Sequence, residues 1–209
     1  MSARTPLPPP PPPAHIRAWP DRDALLADRA GVLNDLLGRL LGPGRIAAHW
    51  GWAVLLATGW AFTGTAVIAF TEALDALSLL FGFVCLVIGV ATLVPTSIAI
   101  AAGVRGDARI RELLVQWAEL DRHPAADAAL RAGGPVLGWL LPGALMCALG
   151  LYVCVAVPAS ARPGDDTYGM VTLGMGLGLV CWLMGLIAVT KAVRHRRWAL
   201  RFLAPAHLS

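Results

Sequence analysis

The sequence predicts an all-α integral membrane protein: a four-helix bundle with short amphipathic cytoplasmic helices attached to it. Three observations carry that prediction. Apolar residues make up 57% of the chain and charged ones only 14%, against about 25% charged in soluble domains. The apolar excess is gathered into four blocks, 50–70, 77–104, 134–159 and 168–190, none holding an Asp, Glu, Lys or Arg. The arginines, finally, gather on alternate connections between these blocks.

Residues 1–20 form a proline-rich start, expected to be disordered, with six consecutive prolines at 8–13. Such a run favours an exposed polyproline II rod, a spacer by default, and its flanks name no proline-binding module. A cleavable secretory signal has a basic start followed directly by an apolar region. Here no apolar block precedes residue 50, so the first span is expected to insert as an uncleaved anchor.

Residues 21–49 read as an amphipathic helix and a linker. Leu25, Leu26, Val32, Leu33, Leu36, Leu37, Leu40 and Leu41 recur at helical spacing, and Gly42-Pro43-Gly44 is expected to end the helix. Its mixed charge lowers its attraction to a membrane surface. Packing beneath the bundle or against another subunit fits equally well.

The transmembrane domain then occupies 50–190. Each block reaches the roughly 20 apolar residues that a span needs. All basic residues but Arg162 fall before span one, between spans two and three, or after span four. The connections 71–76 and 160–167 carry Glu72, Asp75, Asp165 and Asp166 instead. By the positive-inside rule both ends and the 105–133 loop face the cytoplasm. Trp50, Trp52, Trp139 and Trp198 are expected at the inner interface and Tyr168 at the outer one, with Trp60 and Trp182 packing near mid-membrane.

In lipid, helices approach through small residues. Gly82 and Gly89 on span two, Gly143 and Gly150 on span three, and Gly174, Gly178 and Gly185 on span four form smooth stripes. These are expected to face the bundle interior or a dimer partner. Spans two and four share the pattern G-x-V-C-x-x-x-G, at 82–89 and 178–185, and Gly51-Trp52 and Gly138-Trp139 open the preceding spans. The alternative architecture is therefore two tandem helical hairpins. Pro95 and Pro142 are expected to kink their helices, with Thr92, Thr96 and Ser97 re-satisfying the backbone near Pro95. A flexible joint beside a small polar cavity, joined by Thr58, is the sharper reading of Pro95.

In the 105–133 loop, Asp107 looks like a helix cap before Ile110, Leu113, Leu114, Trp117 and Leu120, with Pro124 closing the segment. The basic tail, 191–209, continues span four. Lys191, Arg194, Arg196, Arg197 and Arg201 are expected to contact lipid headgroups of the anionic inner leaflet, each basic residue contributing about 1 kcal/mol. The net charge of +4 is distributed beside spans, so nucleic acid is not an expected partner.

No catalytic residue, cofactor site or metal site is expected. His15, His49, His123, His195 and His207 have no ligand spacing, and no intramembrane carboxylate is present to carry protons. Cys85, Cys147, Cys154 and Cys181 lie inside spans, read as small apolar residues, with a Cys85–Cys154 bridge as the alternative. The abundance of Arg, Ala and Gly suggests a high-GC bacterial genome, hence the inner membrane. The function expected is that of a non-catalytic subunit or scaffold, acting through helix packing and cytoplasmic segments on a protein partner or a second copy. The alternative is a transporter or channel component for a neutral or apolar solute.

Overall fold

The computed structural model describes residues 6–13, 19–72, 75–121, 134–162 and 167–202. The rest of the central loop, 122–133, and the tail beyond 202 lie outside the described residues. Five helices account for nearly all of them: α1 (Arg22–Leu41), α2 (Pro43–Thr71), α3 (Ala76–Ala118), α4 (Gly134–Ser160) and α5 (Tyr168–Phe202). No strand occurs among the described residues. Four helices are long and apolar enough to cross a membrane, and only 11–28% of the residues in their most apolar stretches are buried. Their outer surfaces are therefore apolar and uncovered.

α1 starts at Asp21, whose Oδ1 accepts from the Ala24 N–H at 2.7 Å, satisfying one of the orphan donors at a helix start. It ends at Gly42, whose N–H donates to the Gly38 carbonyl at 2.9 Å. A Cβ on Gly42 would collide with that same carbonyl. α2 follows at once, with Pro43 in its first turn. The expected linker at 42–49 is thus corrected: proline lacks a donor that the first turn does not need, so it starts a helix as readily as it breaks one.

A second correction concerns α3. The sequence divides it into a span ending at 104 and a separate helix capped by Asp107, yet α3 runs unbroken to Ala118. Its own start is capped by Asp75, whose Oδ1 accepts from the Ser78 N–H at 2.7 Å.

The tightest packing runs from α3 to α2, from α2 to α5 and from α5 to α4. Gly82 packs on Phe70 and Gly169 on Ile68 at one end of this row, and α1 packs at the other, across α3, α2 and α4. Small residues set the approach. Gly89 abuts Thr63 and the Gly59 carbonyl, and Gly82 abuts Phe70. On the other side Gly143 meets Ala188, Gly150 meets the backbone of Gly178 and Trp182, and Gly185 meets the Gly143 carbonyl. Gly174 faces Val157, and Gly178 faces Cys154. The G-x-V-C-x-x-x-G glycines of α3 and α5 therefore each face the preceding helix. The likeness stops there, because the packing of α2 on α5 has no counterpart of similar closeness between α4 and α3.

Between the two pairs, Trp60 of α2 donates its Nε1–H to the Leu173 carbonyl of α5 at 3.1 Å and lies over Gly176, which has no side chain to obstruct it. Pro95 and Pro142 sit inside continuous helices. Thr92 donates to the Ile88 carbonyl at 2.8 Å instead of to Ala91, the carbonyl that Pro95 leaves free. Thr58 is exposed. All four cysteines are free.

The buried apolar core lies at the end where α1 packs. Leu33, Leu36, Leu40 and Leu41 of α1 join Ile110, Leu114 and Trp117 of α3, Trp139 of α4, and Ala188 and Ala192 of α5. Each fully buried leucine stabilises such a core by about 1.5–3 kcal/mol. Arg29, 1% exposed, enters the same region and donates to the Trp117 carbonyl at 3.2 Å and to the Ala118 carbonyl at 3.4 Å. It thereby occupies the last carbonyls of α3, where a cation suits the helix dipole. The proline run is not a free rod: the Pro9 carbonyl accepts from the Trp117 Nε1–H at 3.2 Å.

Candidate functional site

Charged side chains converge at the same end, around Asp107. The helix carries this carboxylate inward because Asp107 continues the buried stripe of Gly82, Cys85, Gly89 and Thr96 on α3, which passes through Gly103 one turn before it. It is 7% exposed. Its Oδ1 accepts from Arg45 in the first turns of α2, and its Oδ2 accepts from Lys191 Nζ on α5 at 2.7 Å. Lys191 is itself 6% exposed, and its ammonium stands 4.4 Å from the centroid of the Trp139 ring on α4. An aromatic face attracts a cation, more so when water is excluded. Trp139 in turn donates its Nε1–H to the Leu41 carbonyl, the last residue of α1, at 3.2 Å. One connected network therefore ties all five helices.

His49, one turn along α2 from Arg45, completes the surroundings. Its Nε2 lies 3.1 Å from the Met184 carbonyl, so Nε2 carries the proton, and its ring stands 5.2 Å from that of Trp139. A cavity of about 70 Å³ lies beside Arg45, His49, Asp107 and Lys191.

Burial lowers the Lys191 pKa from its ordinary value, and the hydrogen bond and charge of Asp107 oppose that shift. Burial likewise lowers the pKa values of His49 and His195; the Met184 carbonyl opposes the first shift, and the charge of Arg111 adds to the second. Both oxygens of Asp107 are engaged by cations, so the carboxylate acts as an ionic tie and offers no free base or nucleophile. Charged groups withdrawn from water are stabilising only with near-complete pairing, and here the pairing fixes the register of α2, α3 and α5.

The depressed histidines make a pH prediction. As pH falls through about 6.5, the unfolded chain takes up protons before the native one does, so native stability declines until the lower native pKa values are passed. Thermal unfolding in detergent should show a lower midpoint at about pH 5.5 than at about pH 7.5. His195→Gln should flatten that dependence. A midpoint that rises on acidification would contradict it.

Two residues expected at the membrane interface are placed differently. Lys191 pairs with Asp107 and is buried, so it does not contact headgroups. Trp139 is 2% exposed and belongs to the core. The remaining tail residues diverge: Arg194, Arg197 and Arg201 line a cavity with Arg111 of α3, and Arg196 is exposed outside it. The sequence does not bring Arg45, His49, Asp107 and Arg111 together: it reads Asp107 as a helix cap and His49 as one of the histidines without ligand spacing. The signals that could have found them are the unbroken stripe through Gly103, Asp107, Ile110, Leu114 and Trp117, and the status of Lys191 as the only lysine. Among the described residues no group of three or more His, Cys, Asp or Glu side chains is arranged to hold a metal ion. Comparison of the chain with protein-family models, with curated proteins and with solved structures returns no match, so its function is argued from this geometry alone.

Proposed function

We propose that the chain is a multi-pass protein of a bacterial inner membrane, with both ends cytoplasmic, acting as a non-catalytic subunit or scaffold. Its four spans would form the membrane bundle, and its inner end would be a rigid platform for a protein partner or a second copy. The observation that carries this reading is the network through Asp107, which ties α1 and the inner ends of all four long helices into one body. The exposed apolar sides of the spans support it as well, since a surface so uncovered suits lipid. Close glycine contacts between α2 and α3 and between α4 and α5 support packing over passage as the role of the spans.

The exposed side of α1 carries Ala27, Gly31, Asn34 and Gly38, with open space at both glycines. In mild detergent the full chain should elute as a stoichiometric complex with a partner or with itself. Gly31→Leu combined with Asn34→Arg, which leaves the buried Leu33, Leu36 and Leu40 intact, should release it. Elution of the unaltered chain as a lone monomer, with solute flux in liposomes from that monomer, would instead establish the transporter reading.

A further inference from the structure

We propose that the cavity between the inner ends of α3 and α5 binds an anionic phosphate group. The cavity measures about 340 Å³ and is lined by Arg111, Arg194, Arg197 and Arg201, with His195 and Trp198 between them. That volume falls within the range of about 300–1,000 Å³ usual for small-ligand pockets. Leu40, Leu114 and Val115 give it an apolar floor.

What distinguishes this cluster is the lack of a counter-charge. Three arginines outside it are paired with acids: Arg22 with Asp121, Arg39 with Asp35 and Arg45 with Asp107. No carboxylate lines the cavity, and among the described residues none of its four arginines forms an ion pair. Asp107 lies one turn before Arg111, but both of its oxygens are already taken. Arg111 Nε is fully shielded from solvent and has no hydrogen-bond partner. A shielded donor without an acceptor is costly. Burial and the charge of Arg194 both lower the Arg111 pKa, against the opposing charge of Asp107. This is cationic crowding that a bound anion would relieve.

Guanidinium groups present planar pairs of N–H donors that match phosphate oxygens two at a time. Arg194, Arg197 and Arg201 lie on one side of α5 by helical spacing, and Arg111 reaches the same cavity from α3. The positions also bear on the source of the phosphate. Arg194 to Arg201 follow the apolar stretch that ends at residue 190 by about 6–16 Å at 1.5 Å per residue. The headgroup layer on one face of a bilayer is about 5–7 Å thick. The upper rim thus falls at the level of a lipid phosphate, and the lower one reaches water, where a free phosphate would enter. The site does not depend on the subunit reading, because it is tested on the purified chain without a partner.

The test uses the full chain in neutral detergent. Retained phosphatidylglycerol is counted by native mass spectrometry against a phosphatidylcholine background, and binding of inorganic phosphate is measured by calorimetry. Saturable binding of at least one probe is expected, reduced on the order of tenfold by Arg197→Gln with Arg201→Gln. Arg111→Lys, which keeps the charge and removes the planar fork, should weaken the same probe. Arg105→Gln with Arg109→Gln, exposed and outside the cavity, should leave it within about twofold of the unaltered chain. Retention of the lipid alone assigns a headgroup, and binding of phosphate alone assigns a soluble ligand. Absence of saturable binding for both probes, or an equal loss in the Arg105/Arg109 pair, would overturn the proposal.

Discussion

Asp107→Ala is expected to destabilise the protein by about 3–5 kcal/mol, the usual effect of removing one partner from a buried ion pair. The substitution strands two cations at once. Lys191 is 6% exposed, whereas Arg45, with a side chain 40% exposed, can swing outward to water. The larger share of the loss therefore comes from the lysine. Three comparisons follow from that asymmetry. Lys191→Met should cost less than Asp107→Ala, because Asp107 keeps Arg45. Asp107→Ala combined with Lys191→Met should be more stable than Asp107→Ala alone, since the stranded ammonium has gone. Asp107→Asn should fall between the single losses, as its amide still accepts one hydrogen bond. Unfolding in detergent followed by tryptophan fluorescence reads all four variants, with Trp139 directly beside the ammonium. Equal loss in the single and double variants would mean that Asp107 does not act through Lys191.

The second large effect is expected from Gly150→Leu in α4. A Cβ at Gly150 would stand 2.5 Å from both the Gly178 carbonyl oxygen and the Trp182 nitrogen, and these are backbone atoms of a helix. A flexible side chain could move aside, but a helix backbone yields only if the helices part. The contact is reciprocal, because a Cβ on Gly178 would meet the Gly150 carbonyl at 2.9 Å, and one on Gly185 the Gly143 carbonyl at 2.6 Å. Overpacking costs about 1–3 kcal/mol where side chains can adapt, so about 3 kcal/mol or more is expected here. Gly51→Leu serves as the comparison, since nothing lies within 4 Å of that position. It should change the unfolding midpoint little. Equal effects at Gly51 and Gly150 would show that the α4–α5 approach does not depend on the absent side chain.

The long elements were legible because their signals are local. Four uncharged blocks announce four long helices, and the glycine stripes lie on surfaces where helices do meet. The errors arose where one residue type serves two ends. Pro43 has the chemistry of a stop, yet it opens α2. Asp107 has the chemistry of a helix cap, yet it also lies on the stripe that begins at Gly82 and runs through Gly103. Continued at the same spacing it passes through Asp107, Ile110, Leu114 and Trp117, all buried. The expectation that Lys191 and Trp139 lie at the interface rests on a rule about depth. That rule says nothing of the direction a side chain faces. Both turn inward because an acid on α3 and a carbonyl at the end of α1 await them. Such pairings join residues far apart in the chain: the stripe and the lone lysine mark each position, but local spacing does not say which partner it meets.

The proposed function requires one sidedness: the end of the molecule that holds Asp107 and the arginines would stay in the cytoplasm, and the two short connections would cross to the far side. Labelling of single cysteines, placed in a background with the four native ones replaced, tests it directly. In intact cells a membrane-impermeant maleimide should modify Glu72→Cys and Arg162→Cys, while Glu119→Cys and Arg196→Cys should react only after the membrane is opened. Modification of Glu119→Cys or Arg196→Cys in intact cells, with Glu72→Cys and Arg162→Cys protected, would contradict the account.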